Sequence, residues 1–303
     1  MKIAVTGGSG FIGRPLVERL LAAGHAVALL TRKPETIARR ERLEVSFFDA
    51  ERPLGARDLR DAEAVIHLAG EPIATRWTRE AKRRIRASRI EGTRAVVQAS
   101  REAGTVRTFL SASAVGYYGS RGAEPLTESS APGNDFLAEV CREWEDAARS
   151  ASDGLIRTVI LRFGVALHPE GGVLRKLLPI FRLGLGGRHG PGTQYLSWIH
   201  REDLLGLAMH ALATTALEGP VNVTAPQPVT NAEFTRLLAR VVARPARLHV
   251  PGFALRIALG EMSRQLLTGQ RVLPERARQA GYTFRFPDLE GALRHLLTPR
   301  FEV

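Results

Sequence analysis

The chain has 303 residues, 44% of them hydrophobic and with charges of both signs throughout, which is the make-up of an ordinary globular protein with a substantial core in one large or two modest domains. One cysteine, Cys141, excludes an intramolecular disulfide, no apolar run approaches the ~18 residues of a membrane span, and a strand at the very start leaves no room for a signal peptide, so a cytoplasmic protein with no membrane segment is expected. The formal charge of +12 comes almost wholly from arginine, but the arginines are spread over the chain and the densest run, 79–94, has helical spacing and alternates with Glu80, Ile85 and Ile90, so it reads as a solvated helix face and no nucleic-acid partner is expected.

Lys2-Ile3-Ala4-Val5-Thr6 reads as a short β-branched strand that runs into Gly7-Gly8-Ser9-Gly10-Phe11-Ile12-Gly13 and then an apolar helix carrying Leu16, Leu20 and Leu21. In this order the three spaced glycines have distinct tasks. Gly7 allows a tight turn, Gly10 a close approach to a diphosphate, and Gly13 close packing of helix on strand. The new helix aims its unpaired N–H groups and positive dipole end at the same place. A dinucleotide site is therefore expected at Gly7, Gly10, Phe11, Ile12 and Gly13.

Gly24 stands where a C-cap glycine belongs, and Ala26-Val27-Ala28-Leu29-Leu30 reads as a fully buried strand. Further strands are predicted over 45–48, 64–69, 107–112 and 156–163, with helices over 79–103 and 135–150 between the last three. Strand and helix alternate for about 165 residues, which predicts an α/β fold, a doubly wound parallel (Rossmann) sheet over 1–168. From about residue 170 the texture changes to a smaller α/β lobe, 169–303, joined without a linker. It begins with a helix over 173–183 and continues into Gly184–Gly192, where five glycines and a proline predict no regular structure. A helix from 201, a strand near 221, a helix over 231–242, a strand over 247–250 and helices over 253–267, 274–280 and 289–297 follow.

A dinucleotide fold that prefers NAD usually closes its second strand with Asp or Glu. This one closes with Thr31-Arg32-Lys33, two cations that would attract a 2′-phosphate, one of them able to grip it with a bidentate fork. NADP is the expected cofactor; the alternative is that Arg32 stacks on adenine. Asp49, after the third strand, is placed either to accept from the adenine amino group or to sit solvated in a loop. Leu68, Ala69 and Gly70 end the fourth strand with residues small enough for a cofactor to lie against, and His67 before them reads as a packed histidine.

Thr6–Gly13, His67–Gly70, Gly92-Thr93 and Leu110-Ser111-Ala112-Ser113-Ala114-Val115-Gly116-Tyr117-Tyr118-Gly119 resemble the extended short-chain dehydrogenase/reductases, the branch that holds nucleotide-sugar epimerases and dehydratases. Ser197–Asp203 is similar to that branch's motif before a C-lobe helix. Gly184–Gly187, Gln194, Gly260-Glu261-Met262 and Gly269–Pro274 are similar to one atypical subgroup of epimerase-like oxidoreductases, over essentially the full length. The resemblance implies a serine that hydrogen-bonds the reacting oxygen, a tyrosine that exchanges its proton, a lysine that lowers the tyrosine pKa, and hydride transfer with the nicotinamide. Ser113 matches the serine. Phe136 and Val140 stand at the tyrosine and lysine positions, and no Tyr-x-x-x-Lys occurs anywhere, since residues Arg121, Gly122, Ile199 and Phe286 follow the four tyrosines at that spacing.

A positioned acid–base group contributes typically ~10²–10⁴-fold, so the usual mechanism cannot run as written. Three readings follow: a replacement acid–base, with Tyr117, Tyr118, Glu139 and His200 as candidates and Tyr117 carried forward; an NADP(H)-binding sensor or scaffold without turnover; or nucleic-acid binding with a regulatory nucleotide pocket. A small, anionic or nucleotide-sugar-like substrate is expected between the sheet's C-terminal edge and the smaller lobe, lined by Arg188, Gln194, Trp198 and His200. Against this, Trp198 also reads as core, His200 as a helix cap and Arg162 as structural. No metal is expected, and the resemblance implies a homodimer through the helices over 79–103 and 135–150.

Overall fold

Residues 1–49, 54–152 and 154–298 are described by a computed structural model. Seven strands, β1 (Lys2–Thr6), β2 (Ala26–Thr31), β3 (Leu43–Phe47), β4 (Ala64–His67), β5 (Thr108–Ala114), β6 (Arg157–Phe163) and β7 (Gly219–Val223), form one parallel sheet in the order β7-β6-β5-β4-β1-β2-β3. Numbering runs outward in both directions from β1 and β4, so the switch point lies between them. The carboxyl ends of β1 and β4 therefore open the crevice in which doubly wound sheets bind ligands.

Ten helices link or flank the strands among the described residues: α1 (Gly13–Ala22), α2 (Arg79–Ala103), α3 (Phe136–Arg149), α4 (Gly172–Arg182), α5 (Arg201–Ala213), α6 (Asn231–Val241), α7 (Gly252–Leu259), α8 (Arg264–Leu267), α9 (Glu275–Gln279) and α10 (Leu289–Leu297). Period-two alternation splits the sheet's side chains between two cores. Ile3 and Val5 point to the side covered by Leu16 and Leu20 of α1 and Leu204, Leu207 and Ala208 of α5. Ala4, Val65 and Phe109 point to the side covered by Val96 and Val97 of α2 and Ala148 of α3. A third core, around Trp198 with Leu174, Phe181, Leu238 and Leu293, belongs to the smaller lobe. The charged run 79–94 is a solvated helix face as expected, laced by ion pairs such as Arg83–Glu80 and Arg94–Glu91.

Three details differ from the sequence reading. The seventh strand of the Rossmann sheet comes from residues 219–223, within the stretch read as the smaller lobe, because Pro220–Val223 reach back to pair with Ile160–Phe163. Residues Gly187–His189 of the glycine-rich segment form a short strand that pairs in parallel with Leu248–Val250. Here glycine permits the pairing instead of preventing it: a Cβ on Gly187 would lie 2.2 Å from the Leu248 carbonyl oxygen. The helix expected over 253–267 is broken at Gly260, whose φ of +60° ends α7 before a 3₁₀ turn and α8.

Candidate functional site

The turn after β1 is shaped by contacts that only glycine tolerates. Gly7 has φ +68°, and a Cβ there would lie 2.8 Å from Leu68 C and Ala69 N at the end of β4; one on Gly13 would lie 2.2 Å from the Gly7 oxygen. Gly10, by contrast, is exposed, with its N–H turned back to the Gly7 carbonyl at 3.0 Å. The helix that follows starts at Gly13 with no side-chain cap from Ile12 and no acidic residue in its first turn, so its positive end is left open to an anion. Phe11 packs over Gly171, where a Cβ would come within 2.2 Å of the ring, and Ile12 packs against the core under α1.

Thr6 ties this turn to β4: its hydroxyl accepts from Ala69 N–H at 3.3 Å and meets His67 Nδ1 at 2.7 Å. His67 is fully buried, and burial lowers its pKa to about 4, so the ring is neutral, a packed histidine as read from the sequence. Leu68 and Ala69 thus lie beneath the glycine turn, with exposed Gly70 next to them. At the end of β2, buried Thr31 contacts Ser9 Oγ at 3.3 Å. Arg32 and Lys33 beside it are exposed and have no acidic partner among the described residues. Asp49 follows β3 as a half-buried residue. Together these place the uncapped N-terminus of α1 at the end of β1 and two exposed cations at the end of the neighbouring β2, a set that fits a phosphate-bearing dinucleotide.

At the end of β5 the chemistry centres on a buried polar network. Ser113 Oγ donates to Glu145 Oε1 at 2.8 Å; Arg162 on β6 grips the same carboxylate with Nε and Nη2, both at 2.8 Å. Arg162 Nη1 donates to the Tyr118 hydroxyl at 2.8 Å, which donates to Asn222 Oδ1 at 2.7 Å. Burial opposes the Arg162 charge, but the Glu145 carboxylate raises its pKa above the ordinary arginine value. Burial pushes the Tyr118 phenol up to about 12, with Arg162 opposing that shift. Tyr118 is therefore a structural tyrosine. Tyr117 differs: it is half-buried, the Arg162 guanidinium stacks 3.6 Å from its ring centre, and its own hydroxyl has no partner among the described residues.

Phe136, at the position the resemblance gives to tyrosine, packs edge-on against Trp77 at 5.2 Å with Lys82 Nζ 4.8 Å above its ring; Met262 closes the cluster from the smaller lobe. Val140 is buried and Glu139 exposed on the same helix.

The four residues expected to line the substrate cleft are not brought together. Gln194 and His189 line an 80 Å³ cavity with Leu177, Phe181 and Tyr195, and Gln194 Nε2 bonds the carbonyls of His189 and Leu266. Arg188, one residue along the same strand, points to the opposite face and lines a separate 380 Å³ groove. Trp198 is fully buried in the smaller lobe's core, its Nε1 donating to Gln227 O. His200 caps α5 by accepting from Glu202 N–H at 3.0 Å and stacks on Phe286; burial, then His295, lowers its pKa to about 3. It is a neutral capping residue.

Sequence reasoning missed Glu145 as the hub of the network. The available signal was a carboxylate on the buried stripe of α3, where it shares helical spacing with Cys141 and Ala148. Asn222 and Glu128, joined by Asn222 N–H donating to Glu128 Oε1, carried no signal.

Residues 3–224 match the NAD dependent epimerase/dehydratase family, and residues 250–296 match the domain of unknown function DUF1731. The chain belongs to the NAD dependent epimerase/dehydratase family. Within it, the chain is 41% identical to the epimerase family protein SDR39U1 homolog, chloroplastic, of Arabidopsis thaliana, over 98% of this chain and 87% of that protein. It is 40% identical to the epimerase family protein YfhF of Bacillus subtilis, over 99% of both. Among solved structures, that of human epimerase family protein SDR39U1 with NADPH superposes with a TM-score of 0.88 at 33% identity, covering 98% of this chain and 99% of that one. The chain is thus an epimerase-like member of the family, with the Rossmann sheet expected of it.

Proposed function

We propose that this family member binds NADP(H) and uses it as an oxidoreductase or epimerase on a small, anionic or nucleotide-sugar-like substrate, with Tyr117 as the proton-bearing group. Gly7, Gly10 and Gly13 would hold the diphosphate, Thr31, Arg32 and Lys33 the adenosine 2′-phosphate, Asp49 the adenine, and Leu68, Ala69 and Gly70 the adjoining ribose. Human SDR39U1, solved with NADPH, supports this choice of cofactor. When bound, the nicotinamide supplies or accepts hydride.

The observation that carries the catalytic half is the free phenol. Of the two adjacent tyrosines only Tyr117 has a hydroxyl available, and the Arg162 guanidinium fixes its ring from below at 3.6 Å. Ser113 spends its proton on Glu145 and is left with oxygen lone pairs, so it acts as an acceptor that orients a substrate hydroxyl. Phe136 and Val140 exclude water on the helix side.

The test is turnover. The protein, loaded with NADPH deuterated at C4 or, in a parallel run, with NADP+, is incubated with fractionated small metabolites. The expected result with the wild type is deuterium in a product from the reduced cofactor, or NADPH formed from NADP+ as a substrate hydroxyl is oxidised, and at least a hundredfold less of either with Tyr117→Phe, at unchanged NADPH affinity. The same residues support a second reading, a non-catalytic NADP(H) sensor, because Ser113 is committed to Glu145 and Phe136, which has no proton to exchange, packs with Trp77. Tight NADPH binding with no hydride transfer in either direction with any fraction would favour that reading and overturn the first.

A further inference from the structure

The smaller lobe carries a face that neither the cofactor groove nor the polar network uses. Two segments, 171–200 and 234–260, contain nine Lys and Arg residues and no Asp or Glu. Elsewhere surface arginines are commonly paired, as along α2. Here only Arg240 has an acidic partner among the described residues, Glu290 at 3.2 Å. The two segments are neighbours in space: Gly187–His189 pairs with Leu248–Val250, and Gly184 lies against Pro245.

The same segments hold six of the large apolar side chains that are exposed. Leu183 is 74% exposed, Ile257 73% and Phe253 64%, with Leu185, Leu248 and Ile180 also open to solvent. The helix α7 buries none of its residues; Phe253, Arg256 and Ile257 share its exposed side, apolar rings and branches with a guanidinium among them. Between α6 and the strand pair lies the 380 Å³ groove lined by Arg188, Arg236, Arg247 and His249, with no carboxylate in its walls. His249 and Arg188 are cross-strand neighbours on that face.

Unpaired cations around protruding apolar side chains match one kind of partner better than others. A nucleic acid would take the arginines and leave Leu183, Phe253 and Ile257 in water. An acidic, phosphate-rich lipid surface satisfies both, since the apolar side chains enter the acyl boundary and the arginines reach the headgroup phosphates. We propose that this face of the smaller lobe docks the protein on anionic membranes, with a lipid phosphate seated between Arg188, Arg236 and Arg247. The attachment is peripheral: no described helix is long and apolar enough to cross a membrane.

The experiment is co-sedimentation of the intact protein with vesicles of phosphatidylcholine alone or with 30% phosphatidylglycerol, in rising salt. Binding to the anionic vesicles only, weakening with salt, is expected. Phe253→Asp with Ile257→Asp should weaken it more than tenfold, and Arg188→Ala and Arg247→Ala about fivefold each. All four positions are exposed, so thermal unfolding should be unchanged, and NADPH uptake serves as a folding control. Equal binding to neutral vesicles, no binding to either, unaffected variants, or displacement from vesicles by equimolar duplex DNA would each overturn the proposal.

Discussion

Replacing Arg162 with alanine should be among the most damaging single changes outside the hydrophobic cores. The guanidinium is 1% exposed and the Glu145 side chain 0%, so the substitution strands a carboxylate that has lost both of its 2.8 Å donors from Arg162. Removing one partner of a buried ion pair costs about 3–5 kcal/mol. Arg149 still reaches Glu145 Oε2 at 2.8 Å from the surface, and Ser113 still donates, so the lower end, about 3 kcal/mol, is expected. For a chain of 303 residues that lowers the melting temperature by about 5 °C, readable by circular dichroism. The paired replacement Arg162→Met with Glu145→Met should recover most of the loss, because apolar residues of similar volume need no partner. A drop below about 1 kcal/mol for the single variant, or no recovery in the pair, would refute the view that the carboxylate and guanidinium are mutually dependent.

Other consequences are as direct. Gly13→Ala drives a Cβ to 2.2 Å from the Gly7 oxygen, so the turn must open; loss of NADPH uptake with a smaller loss of stability is expected by titration and melting. Tyr118→Phe deprives Arg162 of an acceptor and Asn222 of a donor in a buried site, and should cost about 1–3 kcal/mol in chemical denaturation. His67 has a folded pKa of about 4 against 6.5 when unfolded, so the unfolded chain takes up the proton first as pH falls. Its contribution is complete above pH 6.5, declines between 6.5 and 4, and amounts to about 3 kcal/mol. His67→Asn should therefore flatten the wild-type fall in stability over that window, and an unchanged slope would show that the ring is not held neutral.

The sheet was legible because its strands are continuous apolar runs and its helices begin where caps stand: Thr78 and Asp135 accept from Ala81 and Ala138 N–H, at the expected starts of α2 and α3. The cofactor turn was legible because glycine spacing reports backbone approach, which is a local property. The smaller lobe was less so. Whether Arg188 faces the cleft or the outer groove depends on which strand Gly187–His189 pairs with, and its partner lies sixty residues away. Trp198 and His200 read either as cleft wall or as core and helix cap, and the pairing of Trp198–His200 with Val165–Leu167, which no local signal announces, buries them. The Ser113–Glu145–Arg162 set was invisible as a unit because its members are far apart in sequence: Ser113 and Arg162 meet as cross-strand neighbours of β5 and β6, and Glu145 is brought to them by the packing of α3 on the sheet.

Selection of NADPH over NADH depends on whether the end of β2 holds the 2′-phosphate. Titration of the protein with NADPH and with NADH, followed by nicotinamide fluorescence, measures this directly. The prediction is saturable NADPH binding, weaker for NADH by about 10–100-fold, with Arg32→Ala erasing most of the difference. Equal affinities for the two, or an Arg32→Ala variant that still prefers NADPH as strongly, would contradict it.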